Sequence, residues 1–179
     1  KKIIYSNHED DQLIQTDING NNPTVIYTAP QNTNNNYFIR EVVMDNLNNK
    51  VYWNEFSTPG YNHSKLMRSD INSFNPELVL NVTEEHMYDI QILKDTNLIF
   101  WRADGKLFNN ANGLLNVVIG PPSTNIVGYC IDEQNEHIYY TTAQSPYYFY
   151  RCDLDGSSSV SQLNGNGYMT NHFFDAINN

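Results

Sequence analysis

Long apolar runs are missing from this 179-residue sequence. No stretch approaches the roughly 18 residues of a membrane-spanning helix, so membrane insertion is not expected. Cations are scarce as well: ten Lys and Arg stand against 20 Asp and Glu, giving a net charge of −10, and no basic stripe gathers them. A phosphate backbone or an anionic lipid surface would be repelled, which sets nucleic acid aside as a partner. Cysteine is limited to Cys130 and Cys152. There is no HExxH helix, no close histidine pair, no GxSxG elbow and no phosphate-binding glycine loop. The sequence therefore assigns no catalytic residue, metal ligand or cofactor, and the reading leans away from an enzyme. Helical periodicity is absent throughout. The opening "KKIIYSN" lacks a signal-peptide pattern, and a start without Met fits either a processed chain or a piece of a longer one.

What the chain does have is aromatic and β-branched side chains and a great deal of Asn. Aromatics make up 13% of it, 13 of them Tyr, too much for a disordered chain and biased toward strands. Four runs share one character: "KKIIYSN", "KVYWNEF", "NLIFWRA" and "HIYYTTA", with aromatic anchors at Tyr5, Tyr52, Phe100 and Tyr139. After each comes a loop and a recurrent phrase: "LIQTDING", "LMRSDINS", the shortened "LFNNANG" and "FYRCDLDG". Asn19-Gly20, Asn112-Gly113 and Asp155-Gly156 mark a tight hairpin turn in three of them. A further strand follows each phrase, in "PTVIYTA", "PELVLNV", "GLLNVVI" and "SSVSQLN". Another apolar run precedes the next anchor, in "IREVVMDNLNN", "MYDIQILKDTN" and "VGYCIDEQNE".

The unit is thus four strands long and recurs about every 40–50 residues, the period of a propeller blade. A blade has two apolar faces and needs neighbours to cover them, which is why the phrase is repeated. The expected fold is an all-β, β-propeller of four-stranded antiparallel blades with four blades visible, either a closed four-bladed ring or part of a larger propeller. It forms one domain over 1–179, with repeats near 1–49, 50–97, 98–136 and 137–179. The chain opens on the second strand of a blade and ends in "NHFFDAINN", a lone first strand that would complete the first blade of a closed ring.

At these residues the chain resembles the YWTD repeat family, the class B repeats of the low-density lipoprotein receptor. Tyr52-Trp53-Asn54-Glu55 and Tyr139-Tyr140-Thr141-Thr142 correspond to the Tyr-Trp-Thr-Asp strand. Arg68-Ser69-Asp70-Ile71-Asn72 and Arg151-Cys152-Asp153-Leu154-Asp155-Gly156 correspond to the family's Asp-Gly phrase, and Met44-Asp45 and Ile131-Asp132 to its Val-Asp ending. The resemblance implies an extracellular or cell-surface propeller that binds a ligand. His8, Glu55, Ala103 and Thr142 stand where the motif has its aspartate, so the family's blade-linking network does not carry over.

The candidate ligand-binding residues are Pro59, Tyr61, Tyr147 and Tyr148, in the two long loops after the anchor strand. Tyr offers contact area at low entropy cost together with a hydroxyl, which suits a protein or carbohydrate ligand; the alternative is that these rings pack over their own blade. Asn62-His63-Ser64 and Asn81-Val82-Thr83 are glycosylation sequons at Asn62 and Asn81, whereas Asn22-Pro23-Thr24 is disqualified by its proline. Cys130 and Cys152 fall on the first and third strands of one blade. That is about 9.6 Å apart, beyond the roughly 7 Å limit for a disulfide, so no bond between them is expected. The five histidines, His8, His63, His86, His137 and His172, read as surface or packing residues; the alternative for His172 is the start of an inner strand, near the central channel. The acidic clusters at Asn7–Asp11 and Asp132–Glu136 lack calcium-loop spacing and read as solvated turns. The sequence supports a binding or structural module that recognises a protein or glycan through propeller loops. A hydrolase or lyase with a site in the central channel, and a scaffold segment of a larger receptor or assembly with self-association, are the alternatives.

Overall fold

The computed structural model describes residues 2–31, 36–58, 63–83, 86–93, 96–111, 116–120, 125–143 and 147–165. Fifteen strands are assigned among them, all paired antiparallel with their neighbours in sequence. β1 (Lys2–Asn7), β2 (Gln12–Asp17) and β3 (Thr24–Thr28) form the first sheet, and β4 (Asn36–Asp45), β5 (Lys50–Thr58), β6 (His63–Asp70) and β7 (Glu77–Thr83) the second. β8 (Tyr88–Ile92), β9 (Ile99–Ala103), β10 (Lys106–Asn109) and β11 (Asn116–Ile119) form the third. β12 (Ile126–Asp132), β13 (His137–Thr142), β14 (Tyr147–Asp153) and β15 (Val160–Gly165) form the fourth. Each sheet is a meander whose strand order follows the chain, and the fold is an all-β propeller of four-stranded blades. The first sheet has three described strands. The segment "NHFFDAINN", its expected partner, lies outside the described residues, as does His172.

The chain divides into two compact units, Lys1–Met87 and Tyr88–Asn179. In the first, the core joins Ile4, Leu13, Ile39, Val51, Trp53 and Ile71, with Tyr27, Met44 and Phe74 packed against it. In the second it joins Phe100, Leu107, Ile126, Tyr129, Ile138, Tyr140 and Cys152. Burying each such apolar side chain contributes about 1.5–3 kcal/mol, and the β-branched and aromatic composition supplies them at alternate strand positions.

The turns explain the repetition. Gly20 N–H donates to the Asp17 carbonyl at 3.0 Å and Asp17 N–H to the Asn21 carbonyl at 3.0 Å; Gly156 and Asp153 repeat the pair at 2.9 and 3.0 Å. This is a three-residue hairpin loop closed by a residue in the left-handed region, with φ of 80° at Gly20 and 83° at Gly156. The hairpin between the first and second strands of a blade also turns through a left-handed residue: Asn49, Asn97 and Glu136 have φ of 56°, 55° and 57°. Asp45 and Asp132 cap two of these hairpins. Each is buried and accepts from the backbone and side-chain amides of Asn48 or Asn135.

Every pairing of a third with a fourth strand carries one extra residue in the outer strand. The register steps fall at Leu13/Ile14, Leu66/Met67, Leu107/Phe108 and Phe149/Tyr150. The bulged strand bends locally and twists more strongly there.

Candidate functional site

Within the first unit, three turns converge on an open cleft of about 670 Å³. Its lining comes from Lys2 at the start of β1, Ile18 in the β2–β3 turn and Met44 at the end of β4. Asn46 and Asn49 of the β4–β5 turn and Ile71 and Asn72 after β6 complete it. Ile71 is 8% exposed and forms the floor; Ile18 is 57% exposed and stands at the rim. The Asn49 carbonyl accepts from Ile71 N–H at 3.1 Å and ties two of the turns together. Lys2 Nζ donates to Gln15 Oε1 at 3.0 Å, a neutral partner.

Among the described residues no carboxylate lines this cleft, although the chain carries 20 acidic residues. The acids adjacent in sequence are engaged elsewhere. Asp17 accepts from Asn19 and Asn21 N–H, both at 2.9 Å, Asp45 is buried in its hairpin, and Asp70 pairs with Lys50 at 3.1 Å.

The second unit has a smaller cleft, about 380 Å³, at the equivalent pair of turns, lined by Asn135, Glu136, Asp153, Leu154 and Asp155. It is acidic. Asp155 is held below the ordinary carboxylate range by hydrogen bonds from Ser157, whose N–H donates at 2.8 Å. Asp153 accepts from Ser157 Oγ at 3.3 Å and faces His137 Nε2 at 3.8 Å. Among the described residues no three His, Cys, Asp or Glu side chains are grouped to hold a metal ion.

The described candidate residues named from sequence, Tyr148 and Asn81, line neither cleft. Pro59, Tyr61 and Asn62 lie outside the described residues. Tyr147 is described by its backbone alone, which pairs with Gly165. Tyr148 is half-buried on β14, its ring centroid 5.7 Å from that of Tyr150, which in turn stacks on Tyr140 at 5.0 Å. That ring packs over its own blade. Asn81 is exposed on β7, opposite Lys65.

Cys130 and Cys152 stand on β12 and β14 with β13 between them, and both are free. Burial pushes the Cys130 thiol up to about 11 and the Cys152 thiol up to about 12. Both stay protonated and unreactive at neutral pH. Cys152 fills the buried small-residue position held by Thr16 and Ser69 in the first two sheets.

Sequence reasoning missed one polar cluster. Glu55, where the repeat motif would place aspartate, is 1% exposed. Its Oε1 accepts from Tyr27 Oη at 2.6 Å and from Trp53 Nε1 at 3.0 Å, linking β3 of the first sheet to β5 of the second. Phe74 stacks on Trp53 at 5.7 Å and closes the cluster. Burial, followed by the hydrogen bond to Glu55, raises the Tyr27 phenol pKa. His8 makes a second link, from Nδ1 to the Ile39 carbonyl at 2.7 Å; a carbonyl only accepts, so Nδ1 carries the proton. Two of the four departures from the motif therefore still tie one sheet to the next, through different atoms.

No protein-family model matches the chain, and no curated protein matches it in sequence. Solved structures do. A nidogen/laminin complex aligns with a TM-score of 0.65 at 13% identity, over 92% of this chain and 62% of that one. Oligogalacturonate lyase from Vibrio parahaemolyticus aligns with a TM-score of 0.68 at 13% identity, over 94% of this chain and 51% of that one. The extracellular domain of a hybrid two-component system from B. thetaiotaomicron aligns with a TM-score of 0.52 at 8% identity, over 93% of this chain and 28% of that one. These are propeller folds, and at such identities they show the fold alone. The chain spans less than two thirds of the length of each.

Proposed function

We propose that this chain is an extracellular binding module with YWTD-like repeats, which holds a protein or glycan partner through the turns and loops at the strand ends. One observation carries the reading. The strand ends where the recurrent phrase turns are concave in both units, and the described linings come mostly from turns, with Lys2, Met44 and Asp153 at strand ends. Turns are where a propeller varies its surface while the strands hold it fixed. The nidogen/laminin complex, a propeller relative in an assembly between proteins, supports a protein partner, and the extracellular domain among the neighbours supports the location.

The test is retention on an immobilised intact chain, read by interferometry, with a panel of extracellular-matrix proteins and a panel of oligosaccharides as analytes. The expected result is a saturable partner that is recovered unchanged. Retention of nothing from either panel overturns the reading, as does release of a cleaved product.

A further inference from the structure

We infer that the cleft of the first unit is a site for an extended peptide segment that pairs an apolar side chain with an acidic one. This rests on the binding-module reading and deepens it. At about 670 Å³ the cleft falls in the roughly 300–1,000 Å³ range of ligand sites. Its chemistry has three parts. Ile18, Met44 and Ile71 make an apolar bed, and Met is the side chain that adapts best to varied partners. Asn46, Asn49 and Asn72 offer amides, each able to donate to a peptide carbonyl and accept from a peptide N–H. Lys2 is the one cation among the described lining residues; its ammonium donates to the neutral Gln15, while Asp17, opposite it in the strand register, is engaged by the amides of its own turn.

Charge selects the ligand class. The chain as a whole repels anions, yet among the described residues this lining holds one cation and no carboxylate, while the equivalent turns of the second unit present Glu136, Asp153 and Asp155. An acidic segment is steered away from most of this molecule and accepted here. A sugar is the weaker fit, because the described residues of the lining include no aromatic ring on which its apolar face could lie. The amides, carried on two turns, instead suit main-chain groups of an extended strand.

The experiment is selection of seven-residue phage-displayed peptides on the intact chain, with a glycan array in parallel. Selected peptides are then measured against Ile18→Glu, Lys2→Glu and, as a control in the second unit, Val160→Glu. Ile18 is on an exposed turn, so its variant is expected to fold, checked by an unchanged melting curve. The expected result is enrichment of acidic–apolar peptides. Ile18→Glu should weaken them at least tenfold and Lys2→Glu about fivefold, while Val160→Glu changes nothing. Under Lys2→Glu, reselection should shift toward basic peptides. Peptides that bind but ignore both cleft variants overturn this inference and leave the binding-module reading standing. Glycans that bind in a cleft-dependent way overturn the peptide class alone. No binder in either arm overturns both.

Discussion

Trp53 and Trp101 occupy the same place on the second strands of successive sheets, and their indole N–H groups are treated differently. Trp53 Nε1 donates to Glu55, which also accepts from Tyr27. Trp101 is as completely buried and stacks on Phe108 at 5.8 Å, yet its Nε1 has no partner among the described residues. Two positions further on, where the second sheet has Glu55, the third has Ala103. The same scaffold position is thus a polar clasp in one blade and an apolar contact in the other. A repeat fold tolerates this because the strand ladder does not depend on it. A clasp, once formed, raises the cost of losing any one member, since the others are left buried and unsatisfied.

The largest expected effect follows from that asymmetry. Glu55→Ala strands both Trp53 Nε1 and Tyr27 Oη and is expected to destabilise by about 3–4 kcal/mol in chemical denaturation. Ala103→Ser, at the equivalent place, is expected to cost under about 1 kcal/mol because a hydroxyl there can meet the orphaned Trp101 donor. Equal losses at the two positions would show that the clasp adds nothing to packing.

A second comparison sets Gly156 against Gly20. A Cβ at Gly156 would overlap the Val118 carbonyl of the neighbouring sheet, whereas one at Gly20 meets open space. Both have positive φ, so Gly20→Ala is expected to cost about 1 kcal/mol from backbone conformation alone, and Gly156→Ala about 3 kcal/mol. Parallel thermal melts of the two variants check the difference.

Alkaline stability should follow the buried acids of the second unit. The Cys130 and Cys152 pKa values are raised from 9.0 to about 11 and about 12, so the unfolded chain releases these protons first. Their contribution is whole below pH 9 and is lost as pH climbs through 11 to 12. Denaturation midpoints should fall over that window, and the fall should be shallower in the Cys130→Ala/Cys152→Ala double variant. The smallest effect concerns Asn81. Expressed through a eukaryotic secretory route, the chain is expected to carry a sugar there, and Asn81→Gln should remove one glycan mass step while leaving the melting temperature within about 2 °C.

Much of the fold was legible because each strand type has its own text. The apolar run, the aromatic anchor, the phrase and the closing strand fall on β4–β7, and the same order recurs in the third and fourth sheets. The turns ending in Gly20 and Gly156 could be read because Gly takes the left-handed conformation without steric cost. The Tyr5 anchor differs from that of the second sheet: it is 41% exposed where Tyr52 is 1%. The cleft was not legible. Lys2, Ile18, Met44 and Asn72 come from separate turns and strand ends, and nothing in any one of them signals that they converge. The Glu55 clasp was hidden for a related reason: its partner Tyr27 is an unremarked strand residue, and the substitution at the motif position read only as a loss.

The extra residue in each outer strand has a consequence beyond local twist. Valines and a leucine lie exposed on these strands, at Val25, Leu78, Val117 and Val160. A flat strand with such side chains and unsatisfied amides would be a template on which other chains could grow cross-β fibrils. The bulge breaks the regular spacing of those amides, so an incoming strand cannot stay in register along the edge. Because the kink is carried within the repeated segment, every duplication of a blade also duplicates its own protection against fibril growth.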